Sequence, residues 1–215
     1  IYGQARALLP GQRLEVRASG QIEQEMWWSE PAAVELAANQ SIGADAIEAI
    51  LDVSIREQIE AERGVGLFLS GGIDSSIIAS SPAVREAALP AFVATFPDAK
   101  GFDESQHAQR VANACGLSLT KIEMTDDRIQ EAASRLGSAY DEPFADASAL
   151  PTLALTKEVA QHCTVALSGD GGDELFGGYR RHSVLKLRAA LPSSLRMLGG
   201  ILGGRLGEAL RSATD

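Results

Sequence analysis

The chain has 215 residues, 45% of them apolar, and a formal net charge of −10. That composition suffices to bury a core of one full domain with pieces to spare. The acidic balance argues against nucleic acid as main partner. The longest uncharged apolar-and-glycine run near the end, Met197 to Gly204, is far too short to span a membrane.

The first thirty residues read differently from the rest. Leu8-Leu9-Pro10-Gly11 is a turn, Arg13 to Val16 alternate as a strand, Ser19-Gly20 turns again, and Ile22 to Trp28 pairs back as a hairpin. Glu30-Pro31 breaks the chain, and Ala32 to Ala38 reads as a short helix. Gly43 begins a longer helix, with Ile47, Ile50, Leu51, Ile55 and Ile59 at helical spacing as an amphipathic cover for a sheet. A strand from Gly64 to Leu69 runs into a glycine turn and a helix from Gly71 to about Ala79. Leu89 to Phe96 is the second strand of this series. Asp103 opens a helix with Gln106 three residues on, a capping-box pattern, and turns Ala108, Val111, Ala112 and Cys115 inward. Leu117 to Met124 is a strand and Asp126 to Ala139 a helix, which Asp141-Glu142-Pro143 ends. Pro151 fits the first turn of a helix to Gln161, and Thr164 to Leu167 is the last strand. From Ser183 on, interrupted by Pro192, the pattern is two or more short helices. This alternation predicts an α/β domain: a mainly parallel sheet with helices on both faces, plus the N-terminal hairpin.

Chemistry concentrates in two strings. Leu69-Ser70-Gly71-Gly72-Ile73-Asp74-Ser75-Ser76 follows a buried strand and enters a helix, so backbone N–H groups and three hydroxyls gather at a helix N-terminus. Such a turn holds phosphate oxygens. No lysine stands before Lys100, so this is not a Walker-type loop; the shape suits pyrophosphate, free or leaving. Asp74 is set to face a metal ion bridging the phosphates, and the chemistry is cleavage of ATP between its α and β phosphates. A glycine turn that merely permits tight packing is the alternative. The second string, Ser168-Gly169-Asp170-Gly171-Gly172-Asp173-Glu174-Leu175-Phe176-Gly177-Gly178-Tyr179, is again strand, glycine turn, helix. Two such turns at the carboxyl ends of one parallel sheet converge on one crevice. Asp74 and Asp173 then share a Mg²⁺, a hard cation that takes one or two carboxylates plus phosphate oxygens. Alternatively, Asp173 and Glu174 are simply favourable acids in a helix first turn.

Other residues carry less. Cys115 and Cys163 stand near predicted helix ends without metal-ligand spacing, as small buried hydrophobes, and His107, His162 and His182 form no zinc motif. Residues 180 to 215 hold seven Arg/Lys against Glu208 and Asp215, a local charge of +5, which reads as a solvated helical face.

Together with Phe102-Asp103-Glu104, Ala108, Val111-Ala112 and Asp141-Glu142-Pro143, the two strings stand in an order that resembles the synthetase half of the glutamine-dependent asparagine synthetase family, among the PP-loop ATP pyrophosphatases. The first string alone also fits GMP synthetases or tRNA lysidine synthetases; the second is the specific one. The resemblance implies that ATP binds through Leu69, Ser70, Gly71, Gly72, Asp74, Ser75, Ser76, Ser168 and Gly169, with adenine near Leu69 and Ala94. Asp74 and Asp173 would hold Mg²⁺, and Asp170 would orient the acyl-adenylate or incoming ammonia. Asp141, Glu142 and Asp146 either border the acceptor pocket or cap loops; Arg180 and Arg181 either reach a phosphate or lie at a helix end. It further implies an ATP-dependent, AMP-forming ligase that makes asparagine from aspartate and ammonia supplied by glutamine, in the cytoplasm, with homodimerisation open. Residues 1–30 resemble the closing hairpin of a glutaminase domain whose N-terminal cysteine nucleophile lies outside this sequence, and 31–215 the synthetase domain. The family's lysine beyond the second string has no match in Lys100, Lys121, Lys157 or Lys186, so residues 1–215 alone are expected to bind ATP·Mg²⁺ and turn over poorly. Two readings stay open beside this one: a relative adenylating another carboxylate, and a nucleotide-binding module without chemistry.

Overall fold

Apolar runs bounded by turn residues become strands in the computed structural model, which describes residues 3–29, 42–97, 99, 101, 103–141, 144–179 and 182. The predicted helix at 32–38, the segment from 183, and Lys100, Phe102, Glu142, Arg180 and Arg181 lie outside the described residues. The hairpin forms as β1 (Gln12–Val16) and β2 (Ile22–Met26), antiparallel with Leu14 opposite Gln24 and Val16 opposite Ile22. Its entry turn closes through Gln12 N–H to the Leu9 carbonyl at 3.0 Å. Leu14, Val16, Ile22 and Met26 share one face by strand alternation, and all are exposed.

The main sheet is fully parallel. Its strands β3 (Val65–Phe68), β4 (Ala91–Thr95), β5 (Leu119–Glu123) and β6 (Val165–Leu167) lie in the order β5-β4-β3-β6. Alternate residues feed two cores, one on each face. Val65, Leu67, Ala91, Val93 and Leu167 pack with α1 (Ala44–Ile59), α2 (Ile73–Ser80), α3 (Pro82–Glu86) and α4 (Ser105–Cys115). Phe92, Ile122 and the half-buried Phe68 and Ala166 pack with α5 (Asp126–Ala139) and α6 (Ala149–Val159). Both sheet faces are therefore helix-covered, as the near-continuous apolar strands require. Cys163 is buried in the second core, where desolvation pushes its thiol pKa up; Cys115 is half-buried, and both are free thiols.

Two local expectations need correction. Ile50 is 61% exposed rather than part of the sheet cover. It stands five residues before the buried Ile55, which at 3.6 residues per turn is about 140° round the helix. The helix expected from Asp103 begins at Ser105, with Glu104 as N-cap and no side-chain cap bond. Asp103 instead stays outside it and accepts from Ser105 N–H at 2.8 Å. Asp146 likewise accepts from Ser148 N–H at 2.8 Å, and hydrogen bonding from Ser148, side chain first and then backbone, holds its carboxyl below the usual range.

Two further helix ends are fixed by side chains. Thr125 caps α5 by accepting from Arg128 N–H, and Ser81 caps α3 by accepting from Ala83 N–H. The carboxyl of Asp52, on α1, joins the Ser81 cap: it accepts from Ser81 Oγ at 2.5 Å, Ala83 N–H at 3.1 Å and Arg56 Nε at 2.9 Å.

The connections place the site. The chain steps outward from β3 to β4 to β5, then returns to set β6 on the other side of β3. Strand order thus reverses between β3 and β6, the position where parallel sheets open a crevice beyond their carboxyl ends.

Candidate active site

The first corner, between β3 and α2, is stiff. Leu69 is 1% exposed and its N–H donates to the Phe92 carbonyl at 2.9 Å, so only its backbone is offered to a ligand. Ser70 Oγ and Ser75 Oγ lie 3.0 Å apart, Gly72 N–H donates to Ser70 Oγ at 3.2 Å, and Ser75 Oγ donates to the Gly72 carbonyl at 3.3 Å. Gly71 has φ +85°, and a Cβ there would stand 2.5 Å from the backbone nitrogen of Ala108 and 2.6 Å from the carbonyl carbon of His107. Only glycine fits this turn, because the first turn of α4 presses directly on it. Gly72 is the N-cap of α2 and brings no side chain to its N-terminus, so no cap closes the first-turn N–H groups against an anion.

The second corner is more open. Ser168 Oγ donates to Asp170 Oδ2 at 3.0 Å, and Asp170 N–H returns to Ser168 Oγ at 3.4 Å, so Asp170 is engaged in its own turn. Helix α7 (Gly172–Phe176) follows at once, flanked by Gly171 and Gly177. Tyr179 Oη donates to Glu174 Oε1. Leu175 and Phe176 are exposed.

The corners meet at Asp74. A Cβ on Gly172 would stand 2.6 Å from Asp74 Cγ and within 2.9 Å of both its carboxyl oxygens; one on Gly169 would stand 2.9 Å from Asp74 Cβ. The carboxyl of the first corner therefore lies flat on the bare backbone of the second, one residue before Asp173. Asp173 leans on Gly178, with Oδ1 at the spot a Gly178 side chain would take. Among the described residues, neither the Asp74 nor the Asp173 carboxyl has a hydrogen-bond or ion-pair partner, whereas those of Asp170 and Glu174 do. The Asp74 and Asp173 carboxyls both offer the hard oxygen that Mg²⁺ takes, while among the described residues no group of three or more His, Cys, Asp or Glu side chains is placed to hold a metal ion. Of the other expected residues, Ser76 is half-buried and Ala94 packs its side chain into the α5–α6 core, leaving only its backbone for adenine.

Gly172 is the site residue that sequence reasoning missed. The signal was the glycine pair at the head of α7, where no turn needs two. Among the described residues, clefts open elsewhere, one of about 370 Å³ between α5 and α6 and one of about 560 Å³ beside Arg56, Ile59 and Leu89. At the corners themselves Ser70, Gly72 and Asp170 are exposed.

A family model described as asparagine synthase matches residues 46–215, which includes both corners. The chain belongs to the asparagine synthase family. It is similar to glutamine-hydrolyzing asparagine synthetase 1 of Bacillus subtilis (strain 168), at 33% identity over 193 residues, 88% of this chain and 30% of that protein. It thus spans under a third of that relative's length. Among solved structures, the glutamine-dependent NAD+ synthetase of Acinetobacter baumannii in complex with ADP aligns over 77% of this chain and 31% of its own, at 20% identity and TM-score 0.44. The NH3-dependent NAD synthetase of Campylobacter jejuni aligns over 65% and 62%, at 22% identity and TM-score 0.41. Among the described residues, no helix of this family member is long and apolar enough to cross a membrane.

Proposed function

We propose that this asparagine synthase family member is the ATP-dependent amide-forming part of a longer ligase. The observation that carries the reading is the seating of Asp74 on Gly169 and Gly172, which turns two glycine corners into one crevice. ATP lies with its phosphates on Ser70, Gly71, Gly72, Ser75 and Ser76, flanked by Ser168 and Gly169, and with adenine along the backbone at Leu69 and Ala94. Asp74 and Asp173 hold Mg²⁺, which when bound neutralises phosphate charge and orients the triphosphate. A carboxylate oxygen of the acceptor, the side chain of aspartate, attacks the α-phosphorus; the bond to the β-phosphate oxygen breaks and pyrophosphate leaves. Two anions approach in that step, so the loop N–H groups and hydroxyls that receive the developing charge dominate the rate. Ammonia then attacks the acyl carbon of the mixed anhydride, AMP leaves with the bonding electrons, and a proton is lost to give the amide. Asp170 exchanges Ser168 for the intermediate or the incoming ammonia. Residues 1–30 are the closing hairpin of a glutaminase domain that supplies the ammonia, and 31–215 belong to the synthetase domain, in a cytoplasmic enzyme.

The test is pyrophosphate release by the full-length protein with ATP, Mg²⁺ and ammonium, across a panel of carboxylates that includes aspartate, with amide product identified by mass. Aspartate-dependent pyrophosphate and asparagine are the expected result. Pyrophosphate with a different carboxylate would replace the acceptor and keep the chemistry. No pyrophosphate with any acceptor, from a folded protein, would sink the adenylation reading.

A further inference from the structure

Asp103 lies outside both glycine corners, yet it touches the structure that supports each wall of the crevice. Its Oδ2 accepts from Phe96 N–H at 3.3 Å, just past the end of β4, and its Oδ1 accepts from Ser105 N–H at 2.8 Å, the first residue of α4. Ser105 is buried, and His107 and Ala108 close the turn by donating to the Glu104 carbonyl at 2.9 and 3.1 Å. That same turn presses on Gly71, with Ala108 N 2.5 Å from where a Cβ would stand. A cap would need only the Ser105 bond. The Phe96 bond reaches across seven residues of chain and ties the turn to the strand.

We propose that Asp103 is a positioning residue that braces the end of β4 against the first turn of α4, and through that turn holds Gly71 and the phosphate loop in register with the adenine wall. Hydrogen bonding from Ser105, ahead of the Phe96 bond and the attraction of Lys121, keeps the carboxyl below its ordinary range. The brace touches no reacting atom. Its effect is on how well the loop is pre-formed, and hence on nucleotide affinity. This functional consequence rests on the ATP reading above; the mechanical brace does not.

The experiment uses the full-length protein with Asp103→Asn and Asp103→Ala. Amide hydrogen exchange without nucleotide is read at Phe96 and across Ser70–Ser75; titration with ATP·Mg²⁺ and steady-state rates follow. Expected are faster exchange at both segments, an ATP affinity and KM weakened about tenfold in Asp103→Ala, as loss of a charge-assisted bond implies, an intermediate value in Asp103→Asn, and kcat at saturating ATP close to the parent. Unchanged exchange at Ser70–Ser75 would overturn the brace, as would a loss confined to kcat. Asp103→Asn carries the test if the alanine variant does not fold. A parent protein that binds no ATP would remove the adenylation proposal and leave the exchange arm to judge the brace alone.

Discussion

The two corners of the crevice share a strand–glycine–helix plan and differ in what backs them. The first springs from β3, an interior strand whose Leu67 is fully buried, and is pinned by the Ser70–Ser75 hydroxyl pair and by α4 pressing on Gly71. The second springs from β6, the terminal strand in the described sheet and only three residues long, and leads into a five-residue helix whose Leu175 is 80% exposed. Under the proposed function the first would be the anion cradle, and the second is a thin acidic flap resting on Asp74 through bare glycine backbone. Under that reading, telling ATP·Mg²⁺ from free phosphate would gain from the division. The better-supported half would fix the phosphate register, and the lightly held half would supply carboxylate beside the cation.

Alanine at the two contact glycines separates these roles. Gly71→Ala meets backbone at 2.5 Å and a φ of +85°, strain of roughly 1–3 kcal/mol that also shifts α4. It should lower the melting temperature and abolish ATP binding together. Gly172→Ala meets the Asp74 carboxyl, which can swing aside on its own side-chain bonds. It should leave the melting temperature near the parent and weaken ATP·Mg²⁺ about 10- to 100-fold, the cost of displacing a charged ligand. Thermal melts paired with ATP titrations check both. Equal stability losses in the two variants would show that the flap is as integral as the cradle.

Most of this frame was legible in the sequence for a simple reason. Strands buried on both faces read as apolar runs, and each glycine string marks where such a run must turn. Asp74 and Asp173 were singled out by residue type and by matching contexts. What escaped depends on partners distant in the chain. Gly172 matters because Asp74 lies on it, and nothing near Gly172 announces that contact. Asp103 showed a local capping pattern, and the Phe96 N–H that makes it a brace comes from just past the end of β4. Ile50 matched a helical spacing with Ile47 but not with Ile55, and the sheet, rather than the helix, decides which stripe is covered.

Core truncation measures the same contrast in stability alone. Leu67→Ala empties a fully enclosed site in an interior strand, and should cost about 3–5 kcal/mol. Leu167→Ala, opposite it in β6, is 7% exposed at the end of the described sheet, where neighbours can collapse. There the cost should be about 2–3 kcal/mol. Denaturant midpoints at fixed slope give the two values, and a larger loss at Leu167 would reverse the order of rigidity argued for the corners.

The smallest effect concerns what holds the first corner from below. Asp52 joins α1 to the cap of α3, directly after α2, and its carboxyl is held below the ordinary range first by Ser81, then by Ala83 N–H and by Arg56. In the unfolded chain it returns to the ordinary value. A depressed carboxyl of this kind stabilises the fold above its unfolded pKa, and that contribution fades as pH falls through the lower, folded value. The parent should therefore lose more melting temperature between about pH 6 and pH 2.5 than Asp52→Asn, which has no proton to take up there. Because hydrogen bonds rather than charge pairing lead the shift, high salt should leave most of the difference in place. Asp52 lies beyond the far end of α2 from the phosphate loop, so ATP affinity at neutral pH should be the same in both proteins. A drop in affinity with Asp52→Asn would mean that α2 transmits strain along its length, and the cradle would then be less self-sufficient than its own hydroxyl pair makes it.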